Sequence, residues 1–280
     1  MYIVFDIGGT KTRIAVTEDL ENFVGVVKFD TPLLFADAME RFITEAQTLL
    51  GGAPVAALAG GIRGPLNREK TEIVSETVLV DWIQKPLVET LSQAFSAPCY
   101  LENDAALVGL GEASVGAGKG GSIVAYYTVS TGVGGARIVD GHVDVATSGF
   151  EPGKQVVDID RTLHPELSLT GTLEELISGE GLQKRMGKKP YEVPQEDPVW
   201  DELAGYLAYG LKNTIVYWSP DTIVLGGSMI VGDPRIMLSV VREKTEALVA
   251  GLVPCPRIVD ATLKDEGGLY GACALLRAKG

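Results

Sequence analysis

Two short glycine-rich turns constrain this chain more than any other feature. The first is Asp6-Ile7-Gly8-Gly9-Thr10-Lys11 and the second is Ser130-Thr131-Gly132-Val133-Gly134-Gly135. Each joins two segments rich in β-formers, Tyr2 to Ile7 with Lys11 to Thr17, and Ser122 to Val129 with Ala136 to Val139. Glycines let a backbone approach an anion closely and adopt positive φ. Successive N–H groups in such a turn form a concave anion nest. Thr10 adds a hydroxyl and Lys11 a cation. Asp6 ends an otherwise apolar strand, where a carboxylate is costly without a partner, and it is placed to hold Mg²⁺ through water. One such turn reads as a tight hairpin. Two of them, about 120 residues apart, point to the phosphates of a nucleotide. The chain has no GxxxxGK[ST], and no GxGxxG between a strand and a helix, which disfavours a P-loop or a Rossmann site.

The remaining pattern predicts an α/β protein. Phe23 to Phe29 and Val55 to Ala59 read as strands, and Leu34 to Leu50 as a helix with its apolar residues at helical spacing. Pro86 to Phe95 and Asp104 to Ser114 read as helices flanking a Cys99 to Leu101 strand. From Asp144 to Pro198 the pattern weakens to loops with one short helix near Leu173 to Ile177. Pro198 to Trp218, Pro234 to Val249 and Gly268 to Arg277 read as helices, alternating with strands Thr222 to Leu225 and Arg257 to Val259. Both halves thus contain a strand, a Gly-rich turn, a second strand and later strand–helix alternation. Two α/β domains facing each other across a cleft fit this better than one doubly wound sheet. The expected domains are 1–105 plus 268–280, with the first turn, and 106–267, with the second.

Composition excludes several classes of function. Asp plus Glu is 37 against 24 Lys plus Arg, a net charge of −13 that opposes general attraction to nucleic acid or anionic lipid. No apolar run approaches the roughly 20 residues that span a bilayer. No basic region precedes an apolar stretch at the N-terminus, so a secretory signal is not expected. Cys99, Cys255 and Cys273 are odd in number and not in CxxC spacing, which reads as reduced cytosolic thiols and a cytoplasmic protein. Only His142 and His164 are available for histidine chemistry.

Glu102-Asn103-Asp104-Ala105-Ala106 lies at a strand-to-helix junction. Asn103 or Asp104 can cap the helix. Asp104 can also act as a general base, because an alcohol hydroxyl has a pKa far above 7 and needs a carboxylate to orient it and take its proton. Asn103 would then orient the alcohol.

These motifs together resemble the ROK (repressor, open reading frame, kinase) sugar kinases of the actin-like ATPase superfamily. Asp6 to Lys11 is similar to their first phosphate motif and Ser130 to Gly135 to their second. Leu225-Gly226-Gly227-Ser228 resembles their adenosine motif, and Asn103-Asp104-Ala105 their catalytic segment. The resemblance implies a two-domain actin-like ATPase (ribonuclease H-like) fold with an inter-domain cleft. It implies an ATP- and Mg²⁺-dependent kinase of a small-molecule sugar, acting on O6 of a hexose or N-acetylhexosamine with Asp104 as base. Asp6, Gly8, Gly9, Thr10, Lys11, Thr131, Gly132, Gly134, Gly226, Gly227 and Ser228 would bind the nucleotide. Homodimers are usual in the family. The family also includes transcription factors, so a non-catalytic sugar sensor is the alternative. Those carry a helix-turn-helix ahead of the first motif, which here begins at Asp6.

Family members also carry E-x-G-H and then a zinc-binding CxCGxxGCxE. Here Glu151-Pro152-Gly153-Lys154 keeps the glutamate and glycine, and Lys154 replaces the histidine. Gly171-Thr172-Leu173-Glu174 aligns with the family's G-C-x-E, which puts Pro165, Leu167 and Thr172 where the zinc cysteines belong. None supplies a thiolate. Glu151 and Glu174 remain candidate sugar ligands, and Lys154 could pair with Glu151 or donate to a sugar oxygen. Gly60-Gly61-Ile62-Arg63-Gly64-Pro65 resembles the family's sugar-lining loop, with Gly64 as a candidate contact. Trp82 sits where members often carry a tryptophan, either half-buried or against substrate. Elemental analysis of purified protein is expected to find no stoichiometric zinc. One tightly bound zinc per chain would show the alignment of the missing cysteines to be wrong.

Overall fold

A computed structural model describes residues 1–75, 78–167 and 170–279. The chain divides into two compact units, residues 1–116 with 141–149 and 265–280, and residues 117–140 with 150–264. The first unit opens with β1 (Tyr2–Ile7), β2 (Lys11–Thr17) and β3 (Phe23–Asp30), followed by α1 (Phe35–Leu50), β4 (Ala57–Ile62), α2 (Leu87–Phe95), β5 (Cys99–Asn103) and α3 (Asp104–Ser114). The second unit has β6 (Ile123–Val129) and β7 (Val133–Val139); the two-residue β8 (His142–Val143) falls in the first. The second unit continues with α4 (Leu173–Ile177), α5 (Gly179–Met186), α6 (Val199–Trp218), β9 (Thr222–Gly226), α7 (Ser228–Val231), α8 (Leu238–Val249) and β10 (Arg257–Asp260). The chain then re-enters the first unit as α9 (Gly267–Arg277).

The sheets repeat one plan. In the first, the order is β3-β2-β1-β4-β5, with β1 antiparallel to β2 and parallel to β4. In the second, β7, β6, β9 and β10 follow the same sequence of hairpin and then parallel neighbours. The duplicated pattern in the sequence is therefore a duplicated topology. β1, β4, β6 and β9 are buried almost throughout, as parallel strands covered on both faces must be.

Apolar side chains of both faces of the first sheet are used. Phe5, Ile7, Ile62, Phe42 and Leu91 belong to the cluster that α1 and α2 cover. Val4, Ala59, Leu107, Leu269 and Cys273 form the other, under α3 and α9. In the second unit Leu173, Leu203, Leu207, Leu211, Ile223 and Leu225 form one core.

Helices α3 and α9 touch backbone to backbone. A Cβ on Gly271 would lie 1.8 Å from the Leu107 carbonyl oxygen, and one on Gly111 2.4 Å from that of Gly267. This contact carries α3, and with it Asp104, into the first unit. Gly-to-Ala in a helix interior normally stabilises by about 1 kcal/mol. Gly271→Ala is expected to do the reverse, lowering stability by about 1–3 kcal/mol through overpacking. Urea denaturation measures the sign, and a stabilised variant would refute the contact.

Candidate functional site

Parallel pairing brings several of the candidate residues to one end of the first sheet. Ile7 lies beside Ile62, and Ile62 beside Asn103. The next residue of each chain segment is Gly8, Arg63 and Asp104. The Arg63 N–H donates to the Ile7 carbonyl at 3.1 Å, so the ladder runs on into this row.

Asn103 is the N-cap of α3. Its Oδ1 accepts from Ala105 N (3.0 Å) and Ala106 N (3.2 Å), and its Nδ2 donates to the Gly64 carbonyl (3.4 Å). Capping therefore falls to Asn103, which also ties the helix start to the Gly64 loop. Gly64 itself has φ of 127°, in the region that favours glycine. Asp104 follows as the first helical residue, half-buried. Loss of water raises its carboxyl pKa above the ordinary value, against the Ala105 N–H and the charge of Arg63, which lower it.

Asp6 sits two residues before Gly8, its side chain 15% exposed and 3.5 Å from Arg13. Burial first, and the charge of Asp104 second, push its carboxyl up to about 7, with Arg13 acting in the opposite sense. Arg13 is also held by Asp265 at 2.7 Å. A carboxylate with that much uncompensated charge fits a hydrated Mg²⁺, which takes oxygen ligands and keeps most of its waters.

The first turn closes by a Gly8 N–H bond to the Lys11 carbonyl (2.9 Å). Neither Gly8 nor Gly9 adopts the positive φ that their sequence suggests. Gly9 is needed for space instead: a Cβ there would lie 2.4 Å from Val78 Cγ2 and 3.5 Å from Arg63 Cδ. Lys11, expected to bring its cation to the turn, is ion-paired with Asp30 of β3. Thr10 is exposed, and its carbonyl accepts from Thr31 N at 3.0 Å.

The second unit presents the other turn. The Ser130 N–H donates to the Gly132 carbonyl (2.9 Å), while Val133 N donates to Glu174 Oε2 (2.8 Å). Glu174 Oε1 accepts from Lys154 Nζ at 2.7 Å. The Lys154 pairing left open by the sequence includes Glu174, and Glu174 holds the second turn. Glu151 is exposed, just ahead of the single turn Pro152–Lys154. Gly134 and Gly226 flank Thr128 on neighbouring strands. Gly227 does take positive φ, 87°, where a Cβ would lie 2.3 Å from the Val129 carbonyl oxygen, and Ser228 then opens α7.

A cavity of about 500 Å³ opens between these elements of the second unit. It gathers Thr131 and Ser228 with Glu180, Gln183, Lys189 and Tyr191. The last four were not singled out from the sequence. Helix α5, which carries two of them, was read as loop, although Ser178 is a good N-cap and accepts from Gly181 N at 3.0 Å. The amides of Gly179 and Glu180 bond to the carbonyls of Ser130 (2.7 Å) and Thr131 (3.2 Å), which fixes α5 to the turn.

Two other positions are placed in packing and capping. Of the two readings left open for Trp82, its 2% exposure and edge-to-face contact with Phe35 at 5.5 Å fit the buried one. Thr172, at a lost zinc-cysteine position, caps α4 in a capping box with Glu175, and Pro165 and Leu167 lie in a short 3₁₀ turn. Arg185 donates to His164 Nε2 (2.6 Å) and to Glu202 Oε1 (2.7 Å), holding that histidine in a polar network on α5 and α6.

Among the described residues, no helix is long and apolar enough to cross a membrane. A fructokinase of Pediococcus pentosaceus is 28% identical over 238 residues, covering 80% of this chain and 81% of its own length. Among solved structures, the ROK hexokinase of Thermus thermophilus matches with a TM-score of 0.83 at 26% identity, covering 99% of both chains. A ROK family glucokinase from Streptomyces griseus, in complex with glucose and AMPPNP, matches with a TM-score of 0.78 at 25% identity, again covering 99% of both. The fold is accordingly the two-domain actin-like ATPase fold. The ROK family profile matches residues 2–279, and the chain belongs to that family.

Proposed function

We propose that this protein is an ATP-dependent sugar kinase that phosphorylates a hydroxyl, O6, of a hexose or N-acetylhexosamine. The observation that carries the reading is Asp104, a carboxylate of raised pKa at the start of α3, at the sheet end where β1 runs into the Gly8-Gly9 turn. Similarity to a fructokinase, a hexokinase and a glucose- and AMPPNP-bound glucokinase supports it.

The second unit contributes nucleotide binding, through its cavity and the Thr131, Gly132 and Gly227-Ser228 backbone. The first unit contributes the chemistry. Amides of the Gly8 to Lys11 turn neutralise phosphate oxygens. Asp6 holds Mg²⁺, which when bound offsets charge on the phosphates. Asp104 accepts the hydroxyl proton as the acceptor oxygen bonds to the γ-phosphorus and the bond from that phosphorus to ADP breaks. A base whose pKa is lifted toward the working pH is better matched to this transfer than an ordinary carboxylate. Asn103 and Gly64 orient the sugar from the first unit. Glu151, Glu174 and Lys154 supply hydrogen-bonding groups from the second.

A coupled ADP-release screen over fructose, glucose, mannose and N-acetylhexosamines tests the reading. Turnover of at least one is expected. Binding of ATP without turnover of any would favour a sugar sensor instead. Asp104→Ala is expected to fold normally and lose about 10²–10⁴-fold in kcat. Retained turnover would remove Asp104 from the base role. Because the base must be ionised, kcat/KM should fall on the acid side at a pH above the usual carboxylate range.

Asp6 gives a second test, on stability. Its folded pKa lies above the unfolded value of 3.8, at about 7. Between those values the folded chain binds more protons than the unfolded one, so stability from this group falls as pH rises. Metal-free Asp6→Asn lacks that loss. Its Tm relative to wild type should climb from pH 4 to pH 7, and a flat difference would show Asp6 to be solvated.

A further inference from the structure

Arg63 is a charged residue close to the glycine turn that the proposed chemistry does not use. It follows β4 directly, one residue beyond the register row Ile7, Ile62 and Asn103, which Gly8 and Asp104 also follow. Its stem runs over the turn, with Cδ 3.5 Å from where a Gly9 Cβ would stand. Its backbone is fixed by the bond from its N–H to the Ile7 carbonyl, and its side chain is exposed. The guanidinium's charge reaches Asp104. Lys11, the other cation of this turn, is paired with Asp30.

We propose that Arg63 is a catalytic residue for phosphoryl transfer, its guanidinium contacting the oxygens of the γ-phosphoryl group as that group passes from ADP to the sugar. This rests on the kinase reading above. Phosphoryl transfer has a loose transition state with charge spread over the three equatorial oxygens, and a planar, permanently charged donor supplied in cis suits it. The position suits it too. The Arg63 stem lies against the amide-lined turn, proposed to take the phosphates, and its charge reaches the carboxylate proposed to take the proton. Arg63 also acts against the rise in the Asp104 pKa, since a nearby cation favours the charged form of a carboxylate. It therefore serves both ends of one step without itself gaining or losing a proton.

The test compares wild type with Arg63→Met, Arg63→Lys and Arg63→Ala, using the sugar that wild type turns over fastest. All three should fold, the side chain being exposed, and Tm checks this. Arg63→Met should lose about 10²–10³-fold in kcat, as on removal of one transition-state donor, with KM for sugar and ATP changed less than about threefold. Guanidinium ion added to Arg63→Ala should restore part of kcat, and Arg63→Lys should fall between. Binding supplies a readout apart from turnover. Wild type should hold ADP with aluminium fluoride and sugar more tightly than ADP with sugar, because the fluoride complex mimics the planar phosphoryl group. Arg63→Met should lose that increment and keep its affinity for ADP. Unchanged kcat in Arg63→Met, or a rise in sugar KM at constant kcat, overturns the catalytic role while leaving the kinase reading intact. A wild type that turns over no sugar overturns the kinase reading, and this inference with it.

Discussion

Keeping carboxylates out of water at one end of the first sheet is the constraint on which that unit depends. Asp6 is the last residue but one of β1 and Asp104 follows β5; burial raises the pKa of both, and the charge of Asp104 raises that of Asp6 further. A chain selected for stability alone would place apolar or small residues there. Instead the surrounding structure is arranged to tolerate the charges. Arg13 stands by Asp6, Arg63 acts on Asp104, and the first turn of α9 comes so near Asp6 that a Cβ on Gly268 would lie 2.9 Å from the carboxylate carbon. The bare contact between α3 and α9 keeps the two helix starts at the same sheet end.

Glu102 extends this pattern one step back along β5. It is buried, accepts from Asn103 N, and is ion-paired with Lys70 of the loop after β4. A buried carboxylate without a partner is strongly destabilising, so the pair ties that loop to the strand that presents Asn103 and Asp104. The same loop begins with Arg63 and with Gly64, whose carbonyl receives the Asn103 amide. The loop between β4 and α2 is thus held to β5 at two points, one neutral and one charged.

Much of this was legible in the sequence, for identifiable reasons. The two hairpins and the strands beside them show as runs of β-formers broken by glycine, and α3 begins where the Asn103-Asp104 pair marks it. Where glycine serves packing instead of turning, the same cues mislead. β4 runs on through Gly60-Gly61-Ile62, beyond the expected end at Ala59. Helix α5 carries Gly179 and Gly181, which read as loop, yet a Cβ on Gly181 would lie 2.1 Å from the Glu175 carbonyl oxygen. The cavity residues Lys189 and Tyr191 lie outside any periodic segment, so nothing in local pattern marks them. Trp82 and Lys11 show the complementary limit. Residue type suggests what a side chain can do, while its tertiary neighbours, Phe35 and Asp30, decide what it does.

The departure at position 154 is accommodated by the same means. An isolated ammonium beside the second glycine-rich turn would compete with its amides for any anion. Glu174 takes that charge with one oxygen and the Val133 amide with the other. The carboxylate is thereby committed twice, to the turn and to the lysine, and a Cβ on Gly132 would strike it at 2.8 Å. Substitution at either end of this bridge therefore disturbs the second glycine-rich turn as well as Lys154. That coupling explains how the turn keeps its shape around a cation: the charge is neutralised by the residue that also positions the backbone.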